Sequence, residues 1–106
     1  MEDTTKICAL NDAFRTTLCG GQLMLTRGIA GRPDAKAILK AVQFYNNFDT
    51  GSDPHHEHDF GAIECGGDKI FWKIDYYDKS LQYGSPDASD PALTTRVLTV
   101  MLAEEY

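Results

Sequence analysis

The sequence predicts an α+β fold of two layers: a three- or four-stranded, mainly antiparallel sheet with three helices, in the order α-β-α-β-β-α. Three observations lead there. Apolar residues near the N-terminus recur at three- and four-residue steps (Ile7, Leu10, Phe14, Leu18), the signature of an amphipathic helix. Two apolar runs flank Gly66-Gly67, a pair suited to the positive-φ positions of a tight hairpin turn. The chain has 106 residues, of which 42% are hydrophobic, enough for one core and one domain over residues 1–106.

The first helix is expected over residues 3–18, with Asp3 or Thr4 to cap its start and Gly20-Gly21 to end it. QLMLTR, residues 22–27, is short, apolar and followed by Gly28, and reads as a strand. GIAGR, residues 28–32, is a connection. It lacks the Gly-Lys-Ser/Thr ending that would set a lysine and a hydroxyl on a nucleotide phosphate. Pro33 and Asp34 suit the start of a second helix over 33–46, with Ile38, Ala41, Val42 and Tyr45 on one face.

Residues 47–58, NFDTGSDPHHEH, form the longest loop, long enough in a small domain to be functional or mobile. Residues 59–77 form the hairpin. With Gly66-Gly67 as its turn, Cys65 faces Asp68, Ile63 faces Ile70, Gly61 faces Trp72, Phe60 faces Lys73, and His58 faces Asp75. Alternation then places Ile63, Cys65, Ile70, Trp72 and Ile74 on the core face. His58, Phe60, Glu64, Lys69, Phe71, Lys73, Asp75 and Tyr77 share the other face. LQYG, residues 81–84, reads as a short further strand and SPDASDP as a turn-rich link. Leu93, Val97, Val100 and Met101 lie on a helical stripe, so a third helix is expected over 91–104, opened by Asp90-Pro91.

Charge narrows the classes of function. The net charge of −6 is uneven: residues 1–48 carry +2, residues 49–90 carry −7 and residues 91–106 carry −1. An acidic middle disfavours direct nucleic-acid binding, which needs Lys and Arg against phosphates, and favours a basic protein surface as partner. Nothing approaches the ~20 apolar residues of a membrane span. MEDTTKICAL lacks the basic start and apolar block of a signal peptide, which makes a cytoplasmic location the expectation. Cys8, Cys19 and Cys65 are well separated and form no Cys-x-x-Cys, so reduced thiols are expected.

The chemistry-bearing stretch is PHHEHD, residues 54–59. Histidine and carboxylate are metal ligands, but the order is not that of a helical His-Glu-x-x-His site and no second ligand cluster is evident. No metal and no cofactor are therefore assigned. His58 beside Asp75 has the form of a general base and its orienting acid. No motif marks a nucleophile, so a pair tying the loop to the sheet is the preferred reading. FWKIDYYD, residues 71–78, has too many aromatics on both faces for all to be buried, and exposed aromatics suit a protein interface.

The run from EHDFG (57–61) through FWKIDYYD (71–78), YGSPD (83–87), DPA (90–92) and TRVLTVMLAEEY (95–106), opened by ALNDAFR (9–15) and LTRG (25–28), resembles domain-of-unknown-function family 3768. The resemblance covers nearly the whole chain. It implies a small bacterial protein, often carried on mobile elements, with no catalytic residues to carry over. The cysteines and His55-His56 lie outside its pattern. The expectation is a non-enzymatic, acidic protein-binding module using Asp53, Glu57, His58, Asp59, Phe71, Lys73, Asp75, Tyr77 and Asp78. Its sharpest form is a mobile-element inhibitor of a host nucleic-acid-binding complex, of the anti-CRISPR type. The alternative is a small hydrolase or metal-dependent enzyme using His58, Asp59 and Asp75.

Overall fold

A computed structural model describes residues 4–48 and 53–106. The expected first helix is α1, Thr4–Thr17, and it is followed by β1, Gly21–Leu25. A one-turn helix, α2 (Arg27–Ala30), occupies part of the GIAGR connection, and α3 covers Ala35–Gln43. Asp34 stands at the N-cap of α3 but makes no side-chain cap bond. Its carboxylate instead takes Arg32, which also reaches Asp68 at 2.6 Å and so ties the start of α3 to the hairpin turn. The hairpin strands are β2, Phe60–Cys65, and β3, Asp68–Tyr77, and the last strand is β4, Thr95–Leu102. A short 3-10 turn, Ala103–Glu105, follows β4.

The strands form one sheet in the order β1-β4-β3-β2. β4 runs antiparallel to β3, which is antiparallel to β2, whereas β1 runs parallel to β4, so the sheet is mixed. The hairpin register is the expected one, from Phe60 opposite Lys73 to Cys65 opposite Asp68. Gly66 and Gly67 take φ of 60° and 83°, the left-handed conformation that the turn demands. The LQYG stretch contributes one isolated bridge, Tyr77 to Gly84.

The expected third helix over 91–104 is replaced by β4. The stripe of Leu93, Val97, Val100 and Met101 has helical spacing, but TRVLTVML is rich in β-branched residues and apolar at consecutive positions. Such a run suits a central strand buried on both faces. Val97 and Met101 lie on one face, Leu98 and Val100 on the other, and all four are buried. Asp90-Pro91 opens a turn, not a helix: Asp90 Oδ1 accepts from the Ala92 amide at 2.9 Å.

One face of the sheet carries the core. Ile70, Trp72 and Ile74 of β3 and Leu98 and Val100 of β4 meet Phe14 of α1, Ile29 of α2 and Ile38 and Val42 of α3. The helices therefore all lie on one side. Trp72 is fully buried and meets Tyr45 edge-on, with ring centroids 5.4 Å apart. Gly61, opposite Trp72 on β2, has no room for a side chain: an added methyl would run into the indole Nε1 and the Tyr45 ring. Overpacking of this kind predicts that Gly61→Ala costs about 1–3 kcal/mol, readable in urea unfolding.

Candidate functional site

The predicted site residues separate into two groups on opposite faces of the sheet. Asp53, Glu57 and His58 turn into the helix layer. Phe71, Lys73, Asp75 and Tyr77 stand on the uncovered face, with Asp59 at its border. The face is so called because no described helix packs on it, although side chains such as Tyr77, Leu81 and Tyr106 shelter its central residues Val97 and Met101.

His58 determines the split. Strand alternation would have carried it to the uncovered face beside Asp75. Instead its φ is 55°, a left-handed conformation that breaks the alternation just before β2 begins. Its backbone N–H donates to Asp53 Oδ1 at 3.0 Å. Its ring stacks flat on Phe48, with centroids 3.7 Å apart and planes 3° from parallel. The expected pairing with Asp75 is therefore not made. Nδ1 lies 2.9 and 3.0 Å from the two carboxylate oxygens of Asp12, and Nε2 lies 3.6 Å from Asp53 Oδ2.

Arg15 completes this cluster. It is 3% exposed. It bonds to Asp12 at 2.9 Å and donates to the carbonyls of Val42 and Tyr45 at and just past the C-terminal end of α3, where a cation suits the helix dipole. Its guanidinium also lies over the rings of Phe48 and Trp72. Cys8, one turn before Asp12, places Sγ 3.8 Å from Asp12 Oδ2. Burial pushes the Cys8 thiol up to about 11, helped by the nearby carboxylates of Asp12 and Asp53. At neutral pH it is a protonated thiol and a poor nucleophile.

A second polar cluster adjoins the first. Asn11 is fully buried and its amide donates to the Glu57 carbonyl at 2.9 Å and to Tyr76 Oη at 2.8 Å. Its oxygen accepts from Arg96 Nε at 2.7 Å. Arg96 is 3% exposed, donates to the Ala88 carbonyl, and lies over the Tyr76 ring. Tyr76 Oη donates to Glu57 Oε1 at 2.7 Å. Burial, with that hydrogen bond, holds the Tyr76 phenol far above its usual range. The stretches ALNDAFR, EHDFG, DYYD and TRV, far apart in the chain, meet in these two clusters.

The uncovered face is ruled by the register. Gln22, Val97 and Asp75 form one row across it, and Met24, Thr99, Lys73 and Phe60 form the next. A groove of about 510 Å³ runs over these rows, with Tyr77, Leu81 and Tyr106 along its sides. Met24 is 56% exposed. The rings of Phe60, Phe71 and Tyr106 gather at one end, with Tyr106 centroids 6.2 and 5.6 Å from the other two. Lys73 and Asp75 pair at 2.9 Å, which keeps the Lys73 ammonium above its usual range.

A smaller groove beside this face holds Asp59, between Pro54, His55, Lys73, Asp75 and Tyr106. The Asp59 carboxylate is half-buried and has no ion-pair partner among the described residues. Burial, with Glu57 next, raises it above the usual aspartate range. Asp78 is spent on the turn after β3: its Oδ1 accepts from the Ser80 amide and hydroxyl and from the Gln82 amide.

Sequence reasoning missed Asn11, Asp12, Arg15, Tyr76 and Arg96. A signal existed for Arg96, a charged residue at a core-face position of an apolar run. None marked the partners of Asn11 and Asp12.

Carboxylates that gain donors on folding also set the response to acid. The hydroxyl of Thr26 and the amides of Leu102 and Gly28 hold Glu105 low, Ser89 holds Asp87 low, and Arg32 holds Asp34 low. A depressed carboxyl contributes stability above its unfolded pKa and loses it as pH falls through the folded one. Asp59, raised by burial, works the other way and gains stability as pH falls through its folded pKa. It is one group against three, so melting temperature should change little from neutral pH to about pH 5 and fall below it, followed by circular dichroism. A protein whose melting temperature rises on that descent would contradict these assignments.

No described helix is long and apolar enough to cross a membrane. No curated protein and no solved structure matches the chain. A family model described as protein of unknown function, DUF3768, matches residues 22–105, which run from β1 into the 3-10 turn and leave α1 outside. On that match the chain belongs to the DUF3768 family.

Proposed function

We propose that this protein is a non-enzymatic protein-binding module that docks through the uncovered face of its sheet on a partner with an apolar centre and a basic rim. The observation that carries the reading is Asp59. A half-buried carboxylate with no ion-pair partner among the described residues sits at the edge of an aromatic groove, a costly arrangement that a guanidinium or ammonium from a partner would relieve. Phe71, Tyr77 and Tyr106 supply the aromatic surface that interfaces favour, and Asp75 and Lys73 form the polar border. The net charge of −6 steers a basic partner toward the chain.

In its sharpest form the module is a mobile-element inhibitor of a host nucleic-acid-binding complex, of the anti-CRISPR type, in a bacterial cytoplasm. The acidic surplus of residues 49–90 supports this form, since a complex built to hold nucleic acid presents a basic channel. The hydrolase reading gains less support. His58 and Asp75 lie on opposite faces, and both His58 ring nitrogens face carboxylates.

Immobilised chain, challenged with a bacterial extract at low and high salt, should retain basic proteins that salt releases. Tyr77→Ala and Asp59→Asn should each lose most of that retention while keeping the wild-type circular dichroism spectrum. Retention equal in wild type and both variants, or lost in His58→Ala alone, would remove this face from the function. Expression of the chain in a host with CRISPR immunity, scored by phage plaques, tests the sharper form.

A further inference from the structure

We propose that Cys8, Asp12 and His58 form a binding site for one divalent cation of the borderline-soft class, Zn²⁺ foremost, with Asp53 orienting the imidazole. Candidate donor atoms of the three residues all lie within 4.8 Å of one another. Asp12 Oδ2 is 3.8 Å from Cys8 Sγ and 3.0 Å from His58 Nδ1, separations that bonds of about 2.0–2.3 Å to one ion can span. The donor chemistry is selective. One sulfur, one imidazole nitrogen and one carboxylate suit zinc or cobalt, whereas magnesium and calcium favour oxygen alone.

The fold holds each ligand in place by a separate means. Cys8 and Asp12 are four residues apart on α1, so they project from one helix face a turn apart. Asp12 Oδ1 is engaged by Arg15 Nη1 at 2.9 Å, while Oδ2 is the oxygen that faces Cys8 Sγ at 3.8 Å. Oδ2 also lies 3.0 Å from His58 Nδ1, so it stands between the sulfur and the imidazole, where an ion would replace both contacts. The His58 ring is fixed by its stack on Phe48 and by the Asp53 bond to its backbone N–H. Its Nδ1 faces Asp12 and its Nε2 faces Asp53, which is itself 3% exposed. A ligating histidine commonly gives its other ring N–H to a carboxylate, and Asp53 Oδ2, 3.6 Å from Nε2, is the carboxylate on that side, a few tenths of an ångström from hydrogen-bond reach.

With a cation bound, Nδ1 offers its lone pair to the metal and the ring proton sits on Nε2, toward Asp53. The thiol proton passes to water as the sulfur–metal bond forms, so one proton is released for each ion bound at neutral pH. A groove of about 470 Å³ opens on Asp12 and His58 and admits water to a fourth position. The ion would fasten α1 to the loop that leads into β2. This site lies in the helix layer and is independent of the docking face. It also differs from the ligand set that PHHEHD suggests, because His55 and His56 are exposed and take no part.

The test uses the untagged full-length chain, stripped with a chelator and titrated separately with Co²⁺ and Zn²⁺. The cobalt complex should show a thiolate-to-metal charge-transfer band and the strong visible bands of tetrahedral coordination, saturating at one equivalent. Cys8→Ser should remove the charge-transfer band and, like Asp53→Asn, weaken zinc binding by at least about tenfold. The His55→Ala/His56→Ala double variant and Cys65→Ser should bind as the wild type does. A wild-type cobalt spectrum without the thiolate band would overturn the proposal whatever the variants do. So would zinc affinity unchanged in Cys8→Ser, or lost in the His55/His56 variant.

Discussion

Arg96→Ala is expected to destabilise the protein by about 3 kcal/mol, read as a lower urea midpoint with an unchanged slope. The guanidinium is 3% exposed, and burial lowers its hold on the proton. It is kept charged in that place by Asn11 Oδ1, the Ala88 carbonyl and the Tyr76 ring. Truncation takes the Arg96 donor from the buried Asn11 Oδ1 and from the Ala88 carbonyl, and an unmade buried hydrogen bond costs more than a made one contributes. Arg96→Lys should recover little, because a single ammonium cannot span two acceptors that a planar fork reaches together. Asn11→Ala combined with Arg96→Ala should cost less than the two single changes added, since both break the same bond. Additive costs would show that the two residues stabilise the fold separately.

The legible parts of this fold are those whose cause is local. Gly66-Gly67 sets a two-residue turn, and from that turn the whole β2–β3 register and the burial of Ile70, Trp72 and Ile74 follow. The α1 and α3 stripes are likewise local. β4 was not legible because Leu93, Val97, Val100 and Met101 fit a helix, while the alternative needs knowledge that other strands flank the segment on both sides. The parallel pairing of β1 with β4 is equally non-local, as Gln22 meets Val97.

The candidate sites divide in the same way. Phe71, Lys73, Asp75 and Tyr77 share the uncovered face because alternation requires it. His58 leaves that face because of one left-handed φ, which no neighbouring residue type announces. The polar clusters need contacts across 46 residues for Asp12 with His58 and 85 for Asn11 with Arg96. ALNDAFR shows that an acid and two other polar residues lie within the first helix. Only the packed structure shows that they point at EHDFG, Tyr76 and Arg96.

Trp72→Ala should have the largest effect, about 4 kcal/mol, which leaves a domain of this size close to unfolding at 37 °C. The indole is fully buried at the centre of the core cluster and carries more than its own contact area. Tyr45 meets it edge-on, Phe48 meets it edge-on at 6.2 Å, and Arg15 lies over it at 5.1 Å. Phe48 in turn is the ring on which His58 stacks. Loss of the indole therefore opens a cavity beneath the aromatic chain that positions His58. Trp72→Phe separates the two consequences. It keeps an aromatic edge for Tyr45 and Phe48 and gives up only part of the volume, so the domain should stay folded with a lower melting temperature. In that variant the His58 ring resonances, followed by NMR, should shift although Trp72 does not touch the histidine. A folded Trp72→Phe protein with unmoved His58 resonances would show that the loop is held by Asp12 and Asp53 alone.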